Sequence, residues 1–222
     1  MSTAAPAAHD PVVAAYASAR EITEVLHFTT NKGLLGIFAT GAVLSRDRLD
    51  ADKYLEHIYT PNCENRLKDA DWIDYVSLSI SRVNDRMFNT SERWHATEDL
   101  WWVVLAVDVS VLADPGVWFA TTNNTYTATV NRGTGAAGLA ALFADAVPWG
   151  HYGSVCFRHR NMAASWTTDP QAEVLYPEQV PIDRLRAVYV REPEHADQVH
   201  SWFGLFPTVP RVPVVHKLEV FQ

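Results

Sequence analysis

Tyr75 to Ile80 alternates without a break, with Val76, Leu78 and Ile80 on one side and Tyr75, Ser77 and Ser79 on the other. That is the period of a strand with one wet face. Trp101 to Val109 is the most apolar run of the chain and predicts a central strand. Near the start, Ile22 to Thr29 leans towards β structure and ends in the polar string His27, Phe28, Thr29, Thr30, Asn31, where a strand hands over to a helix. Asn31 is placed to cap that helix, Leu34, Leu35, Ile37 and Phe38 give it one apolar face, and Gly41 supplies a left-handed stop. Asp114-Pro115-Gly116 predicts a turn, with Val117 to Thr122 returning as a strand. Ala136 to Ala146 has helical composition, Ala172 to Tyr176 and Arg186 to Val190 read as strands, Glu194 to Phe203 as an amphipathic helix and Val212 to Phe221 as a last strand. From Ser45 to Trp72 periodicity is lost and a long loop is expected, the kind that carries function or moves. Strands cluster instead of alternating regularly with helices, so the expected class is α+β and not a doubly wound parallel sheet.

Length and composition narrow this picture. The chain has 222 residues, 48% of them hydrophobic and 20% charged, enough for one substantial core without extra staples. No apolar stretch approaches the roughly 20 residues of a membrane helix. Residues 1–20 are alanine-rich without a basic segment before an apolar run, so they read as a disordered or helical lead-in and not a signal peptide, followed by a single domain over 21–222. Cys63 and Cys156 lie far apart, which fits a reducing, cytosolic compartment better than a disulfide framework. The formal charge of -8 argues against a protein that coats duplex DNA by phosphate neutralisation. Of the 18 basic residues, however, 14 are arginine, the side chain suited to bidentate phosphate contacts and stacking, so a local nucleic-acid site stays open.

Gly133, Gly135 and Gly138 match the dinucleotide fingerprint GxGxxG. The threonine-rich segment before them is not the continuous aliphatic run of a buried first parallel strand, and too little chain follows for the remaining βαβ units. A flexible glycine loop explains the match better. The nine histidines show no HExxH, HxH or HxxxH pairing, and no GxSxG elbow or GxxxxGK[ST] loop occurs, so metal, hydrolase and nucleoside-triphosphatase readings have no positive support.

Four pieces remain: His27-Phe28-Thr29, then Asn65-Arg66-Leu67 running into Asp74-Tyr75-Val76-Ser77-Leu78-Ser79-Ile80, then Phe119 to Asn123, and last Pro170-Gln171-Ala172-Glu173-Val174-Leu175. In this order and spacing, from about Ile22 to Arg191, the chain resembles the DarT-like ADP-ribosyltransferases, toxins that attach ADP-ribose from NAD to nucleobases in DNA. The resemblance implies an ADP-ribosyltransferase-like fold of mixed, mainly antiparallel sheets with flanking helices, NAD as co-substrate and no metal.

It also implies roles. Breaking the bond between nicotinamide and ribose passes through an oxocarbenium-like state that a nearby carboxylate stabilises. Glu173 is the candidate, and it could also take the proton of the attacking base. His27 would donate to the NAD ribose, with Thr29 and Asn31 holding the ribose or the nicotinamide amide. Arg66 would contact the pyrophosphate and orient the acceptor, a part that Arg46 or Arg48 could also fill. Tyr75 would stack on a ring of NAD, and Met87 with Phe88 would line the adenosine pocket. A base must be exposed to be modified, so single-stranded DNA or a flipped nucleotide is the expected acceptor. Trp149, His151, Tyr152, Arg158, His159, Arg160 and Trp166 form the densest interleaving of aromatic and basic residues, just ahead of Glu173. They are the expected acceptor platform. A macrodomain antitoxin is the implied partner, and no membrane is involved. The competing readings are transfer to RNA, a free nucleotide or protein, a binding module without transfer, and an NADP-dependent reductase.

Overall fold

The computed structural model describes residues 9–49, 71–96, 100–150 and 152–222. Its centre is an eight-stranded sheet of mixed order. Strands β1 (Glu24–Thr30), β3 (Tyr75–Ile80), β4 (Trp102–Asp108), β5 (Trp118–Ala120), β6 (Arg132–Thr134), β9 (Glu173–Pro177), β11 (Leu185–Val190) and β12 (Val214–His216) lie in the order β12-β11-β4-β1-β3-β9-β5-β6. Among the described residues only the β11–β12 pair is parallel, reached through helix α5 (Pro193–Leu205). Two small ribbons complete the β structure: β2 (Ala42–Leu44) with β10 (Gln179–Pro181), and the hairpin β7 (Ala146–Trp149) with β8 (Ser154–Phe157). The α+β class and the mainly antiparallel sheet agree with the sequence reading.

One face of the sheet is covered by helices α1 (Pro11–Ala19), α2 (Asn31–Thr40), α4 (Gly135–Ala141) and α5. Val13, Leu34, Leu139 and Phe203 from these helices pack on Val25, Val76, Leu78, Val103, Leu105 and Val174. On the other face helix α3 (Asp85–Trp94) brings Phe88 onto Leu26, Trp102 and Val104. A separate group of Ala120, Val130 and Leu175 lies under Trp72, Tyr75 and Trp118. Ser77 and Ser79 of β3 point to this second face. A strand that was apolar on both sides would have joined the two groups, and here the serines keep them apart.

Several boundaries differ from the sequence reading. Thr30, not Asn31, caps α2: its extended backbone lets Oγ1 accept from Gly33 N at 3.1 Å, and Asn31 is the first helical residue. Gly41 does end the helix, at φ 72°. The last strand is only Val214–His216, because Leu218–Phe221 turns away to pack Phe221 on Phe88. The segment 125–130 forms turns, and the glycine motif follows as edge strand β6 and helix α4. There Gly138 lies so close to Gly133 that a Cβ on it would sit 2.4 Å from the Gly133 carbonyl carbon. The glycines serve close packing at the edge of an antiparallel sheet.

Candidate active site

Strand β1 pairs with β4 along its whole length but with β3 only through Val25–Ile80 and Leu26–Ser79. Strand β3 then runs with β9 from Leu78 to Tyr75. The eight-stranded sheet is thus two ladders joined by two residue pairs, and it opens where His27 and Ser77 face the gap. The Ser77 carbonyl accepts there from His27 Nδ1 at 3.0 Å. A carbonyl can only accept, so Nδ1 carries the proton. Burial lowers the His27 pKa, with the Ser77 bond opposing in part. The neutral ring therefore presents Nε2 as an acceptor. The sequence reading has His27 donating to the NAD ribose, whereas with Nδ1 bonded to Ser77 the nitrogen left for a ligand is Nε2.

Glu173 opens β9, an interior strand between β3 and β5. It shares a face with Leu175, while Ala172, Val174 and Tyr176 pack into the opposite core. Glu173 is 6% exposed. Oε2 accepts from Ser77 Oγ at 2.5 Å and Oε1 from Asn124 N at 2.9 Å. Each oxygen thus has a donor, the condition for keeping a carboxylate inside a fold. Ser77 reaches the two candidate groups at once, His27 through its carbonyl and Glu173 through its hydroxyl.

The other residues predicted for NAD are placed as follows. Thr29 is buried, and Gly33 approaches it so closely that a Cβ there would come 2.1 Å from Thr29 Oγ1. Asn31 Oδ1 is buried without a hydrogen-bond partner, as are Thr122 Oγ1 and Asn124 Nδ2. Unsatisfied buried polar atoms at a site are where a polar ligand would be recognised. Tyr75 is half-buried against Trp72, ring centres 5.1 Å apart. Met87 is half-buried in the first turn of α3, whose cap is Asn84. Arg66 lies outside the described residues, as does His151. Arg46 is described, and Arg48 pairs with Asp74 at 2.8 Å, so Arg48 is occupied. Among the described residues no group of acidic, histidine and cysteine side chains could hold a metal ion.

The predicted acceptor platform divides. Trp149 ends β7 under the Arg86 guanidinium at 4.6 Å, and Trp166 lies under Arg82 at 4.8 Å. Tyr152 at the hairpin tip is 95% exposed, Phe157 and Trp166 are also exposed, and Arg160 faces solvent. Arg158 has a different job. It donates to the carbonyls of Trp166, Ala163 and Ala164 at 2.7, 2.9 and 3.3 Å, and so braces the loop it begins. A groove of about 420 Å³ runs past Arg82 and Trp166 to Lys217, but Glu24, Asp85 and Glu219 also line it, so charge does not make it a phosphate channel.

Ser77, Asn124, Arg82 and Arg86 escaped the sequence reading. The wet side of β3 was a signal for Ser77. Asn124 acts through its backbone N–H, which no residue type announces.

Ser77 links a buried glutamate, both of whose oxygens accept hydrogen bonds, to a histidine at the split in the sheet, and comparison with known proteins gives the enzyme class, an ADP-ribosyltransferase, and the family. The model of DarT, described as ssDNA thymidine ADP-ribosyltransferase, matches residues 26–221. The chain belongs to the DarT family. Among solved structures it is similar to Thermus sp. 2.9 DarT in complex with carba-NAD+, at 14% identity and TM-score 0.62, covering 91% of this chain and 99% of that one. The same protein in complex with ADP-ribosylated ssDNA gives 15% identity and TM-score 0.60, covering 91% and 97%. Thermosipho africanus DarTG in complex with ADP-ribose gives 14% identity and TM-score 0.54, covering 90% of this chain and 51% of that one. No curated protein matches the sequence.

Proposed function

We propose that the protein transfers ADP-ribose from NAD to thymidine in single-stranded DNA, with Glu173 as the reactive carboxylate. The observation that carries this reading is the fixed carboxylate: Ser77 Oγ and Asn124 N hold its two oxygens at the opening of the sheet. The family description supplies the acceptor, and the Thermus structures with carba-NAD+ and with ADP-ribosylated ssDNA agree with both substrates.

The C–N bond between ribose and nicotinamide breaks, the electron pair leaves with neutral nicotinamide, and positive charge develops on the ribose. The Glu173 carboxylate, oriented before the reaction, stabilises that charge. A ring nitrogen of the base then bonds to the anomeric carbon, and its proton passes to Glu173. His27 Nε2 accepts from a ribose hydroxyl, and Asn31 Oδ1 and Thr29 bind nearby polar groups of NAD. Tyr75 and Met87 border the ring sites, and Arg66 takes the pyrophosphate. For the acceptor, Trp149 and Trp166 with Arg82 and Arg86 are the stacking platforms, extended by His151, Tyr152 and Arg160. Arg158 supports their loop. Stacking tolerates a strand without charge neutralising every phosphate, which fits a chain of net charge -8.

In the cell we assign the protein to a toxin–antitoxin pair in the cytosol, with a macrodomain partner that opposes it. No helix among the described residues is long and apolar enough to cross a membrane. The test offers labelled NAD with thymidine-containing single-stranded DNA, the same DNA without thymidine, RNA and protein. Label confined to the first and lost in Glu173→Ala is expected. Label on RNA or protein alone would overturn the acceptor, and label unchanged in Glu173→Ala would overturn the mechanism. Growth arrest on expression, relieved by the same substitution and by a co-expressed macrodomain, is the expected cellular result.

A further inference from the structure

Arg132, Ala120 and Glu173 form one row across three strands: Arg132 on β6 pairs with Ala120 on β5, which pairs with Glu173 on β9. Residues paired across neighbouring strands share a face, so the arginine and the glutamate stand on the same side, their backbones about 10 Å apart. Ala120 between them is buried and small. Asn124 occupies that space. Its N–H holds Glu173 Oε1 at 2.9 Å. Arg132 Nε donates to Asn124 Oδ1 at 2.6 Å, and Arg132 Nη2 to the Asn124 carbonyl at 2.8 Å. The guanidinium fork thus grips the side chain and the main chain of the residue that holds the carboxylate. Trp72 lies 5.1 Å from the same guanidinium and closes its open side.

We propose that Arg132 is a positioning residue for transfer: through Asn124 it fixes where the Glu173 carboxylate stands against the reacting ribose. This rests on the reading of Glu173 as the reactive group. The geometry asks for arginine specifically. A lysine carries the charge, but its three donors radiate from a single nitrogen, whereas the planar guanidinium presents Nε and Nη2 side by side to an amide oxygen and a carbonyl of one residue. Gly133 and Gly138 give the arrangement its frame. Their close contact seats β6 on α4 and so sets the height of Arg132 in the row. The glycine motif thereby supports ADP-ribosyl transfer without binding a dinucleotide.

The test measures transfer to single-stranded DNA for wild type, Arg132→Ala, Arg132→Lys, Asn124→Ala and the double variant, with Glu173→Ala alongside and thermal melting for each. The expected result for Arg132→Ala is a kcat loss of about 10- to 100-fold, the scale seen when the outer partner of a functional ligand is removed. KM for NAD should stay within about 3-fold, because binding in the ground state is untouched. Arg132→Lys should recover little, millimolar guanidinium should raise the rate of Arg132→Ala, and the Asn124→Ala double variant should be no slower than the worse single one. A purely structural role would lower the melting temperature with kcat per folded molecule unchanged, and that outcome overturns the proposal. So do a kcat for Arg132→Ala within about 2-fold of wild type and additive losses in the double variant. If Arg132→Ala does not fold, the fully folded Arg132→Lys decides by the same kcat criterion. Full transfer by Glu173→Ala would bring down the reading of Glu173 itself, whereas a dead Glu173→Ala beside an unchanged Arg132→Ala removes Arg132 alone.

Discussion

Glu173 is 6% exposed and Tyr152 is 95% exposed. The glutamate sits in an interior strand with both oxygens bonded to groups 96 and 49 residues away in sequence. The tyrosine stands at the tip of a hairpin that is a sheet of its own, between Gly150 and Gly153 at φ 68° and 69°. One region is held by long-range pairing, and the other presents aromatic faces on short, local structure. The difference suits the two tasks proposed for them. Charge developing on a sugar is stabilised only by a group already in place, while an unpaired strand is gripped by platforms that tolerate variation.

The comparison is broken most severely at Ser77. Ser77→Ala removes the donor to Glu173 Oε2 but keeps the carbonyl that orients His27. It should lower the transfer rate about 10- to 100-fold and cost about 1–3 kcal/mol of stability, the effect of leaving a buried acceptor unsatisfied. Initial rates and denaturant titration check both, and unchanged values would mean that the carboxylate is not held as described.

At the acceptor end the effect should separate from the chemistry. Trp166→Ala should weaken single-stranded DNA binding by about 1–3 kcal/mol, read as a raised KM for DNA. Hydrolysis of NAD in the absence of DNA should not change. If Trp166→Ala slowed that hydrolysis as much as Glu173→Ala does, the two regions would not be separate.

The smallest effect concerns protons. The fold lowers the His27 pKa by burial. Above the ordinary imidazole value of about 6.5 both folded and unfolded chains carry a neutral ring and nothing is lost. As pH falls below that value the unfolded chain takes up a proton that the folded one refuses, so stability declines down to the lower folded value. Denaturant titrations at several pH values should show a steeper acid decline for wild type than for His27→Gln. Parallel curves would contradict it.

What could be read in advance followed from periodicity. The alternation of Tyr75 to Ile80 and the unbroken run of β4 mark strands whatever surrounds them, and the same counting puts Glu173 on the face opposite Ala172, Val174 and Tyr176. The resemblance named His27 and Glu173. The support around them was not legible, because Ser77 and Asn124 reach Glu173, and Arg132 reaches Asn124, only through strand order, register and a turn. Thr30 displaced Asn31 as the cap because two adjacent residues can both accept from a first turn and the backbone chooses. Arg158 is an arginine in a basic, aromatic stretch by composition, yet three carbonyls of its own loop claim it.

The central claim is that the charge of a fixed carboxylate drives transfer. Glu173→Gln keeps the size and an oxygen for Asn124 N while removing that charge. Single-turnover transfer from NAD to a thymidine-containing single strand, measured with calorimetric NAD binding, tests it most directly. The account predicts NAD affinity within about 3-fold of wild type and a rate lower by about 1,000-fold or more. A rate within about 10-fold of wild type, with NAD still bound, would contradict it.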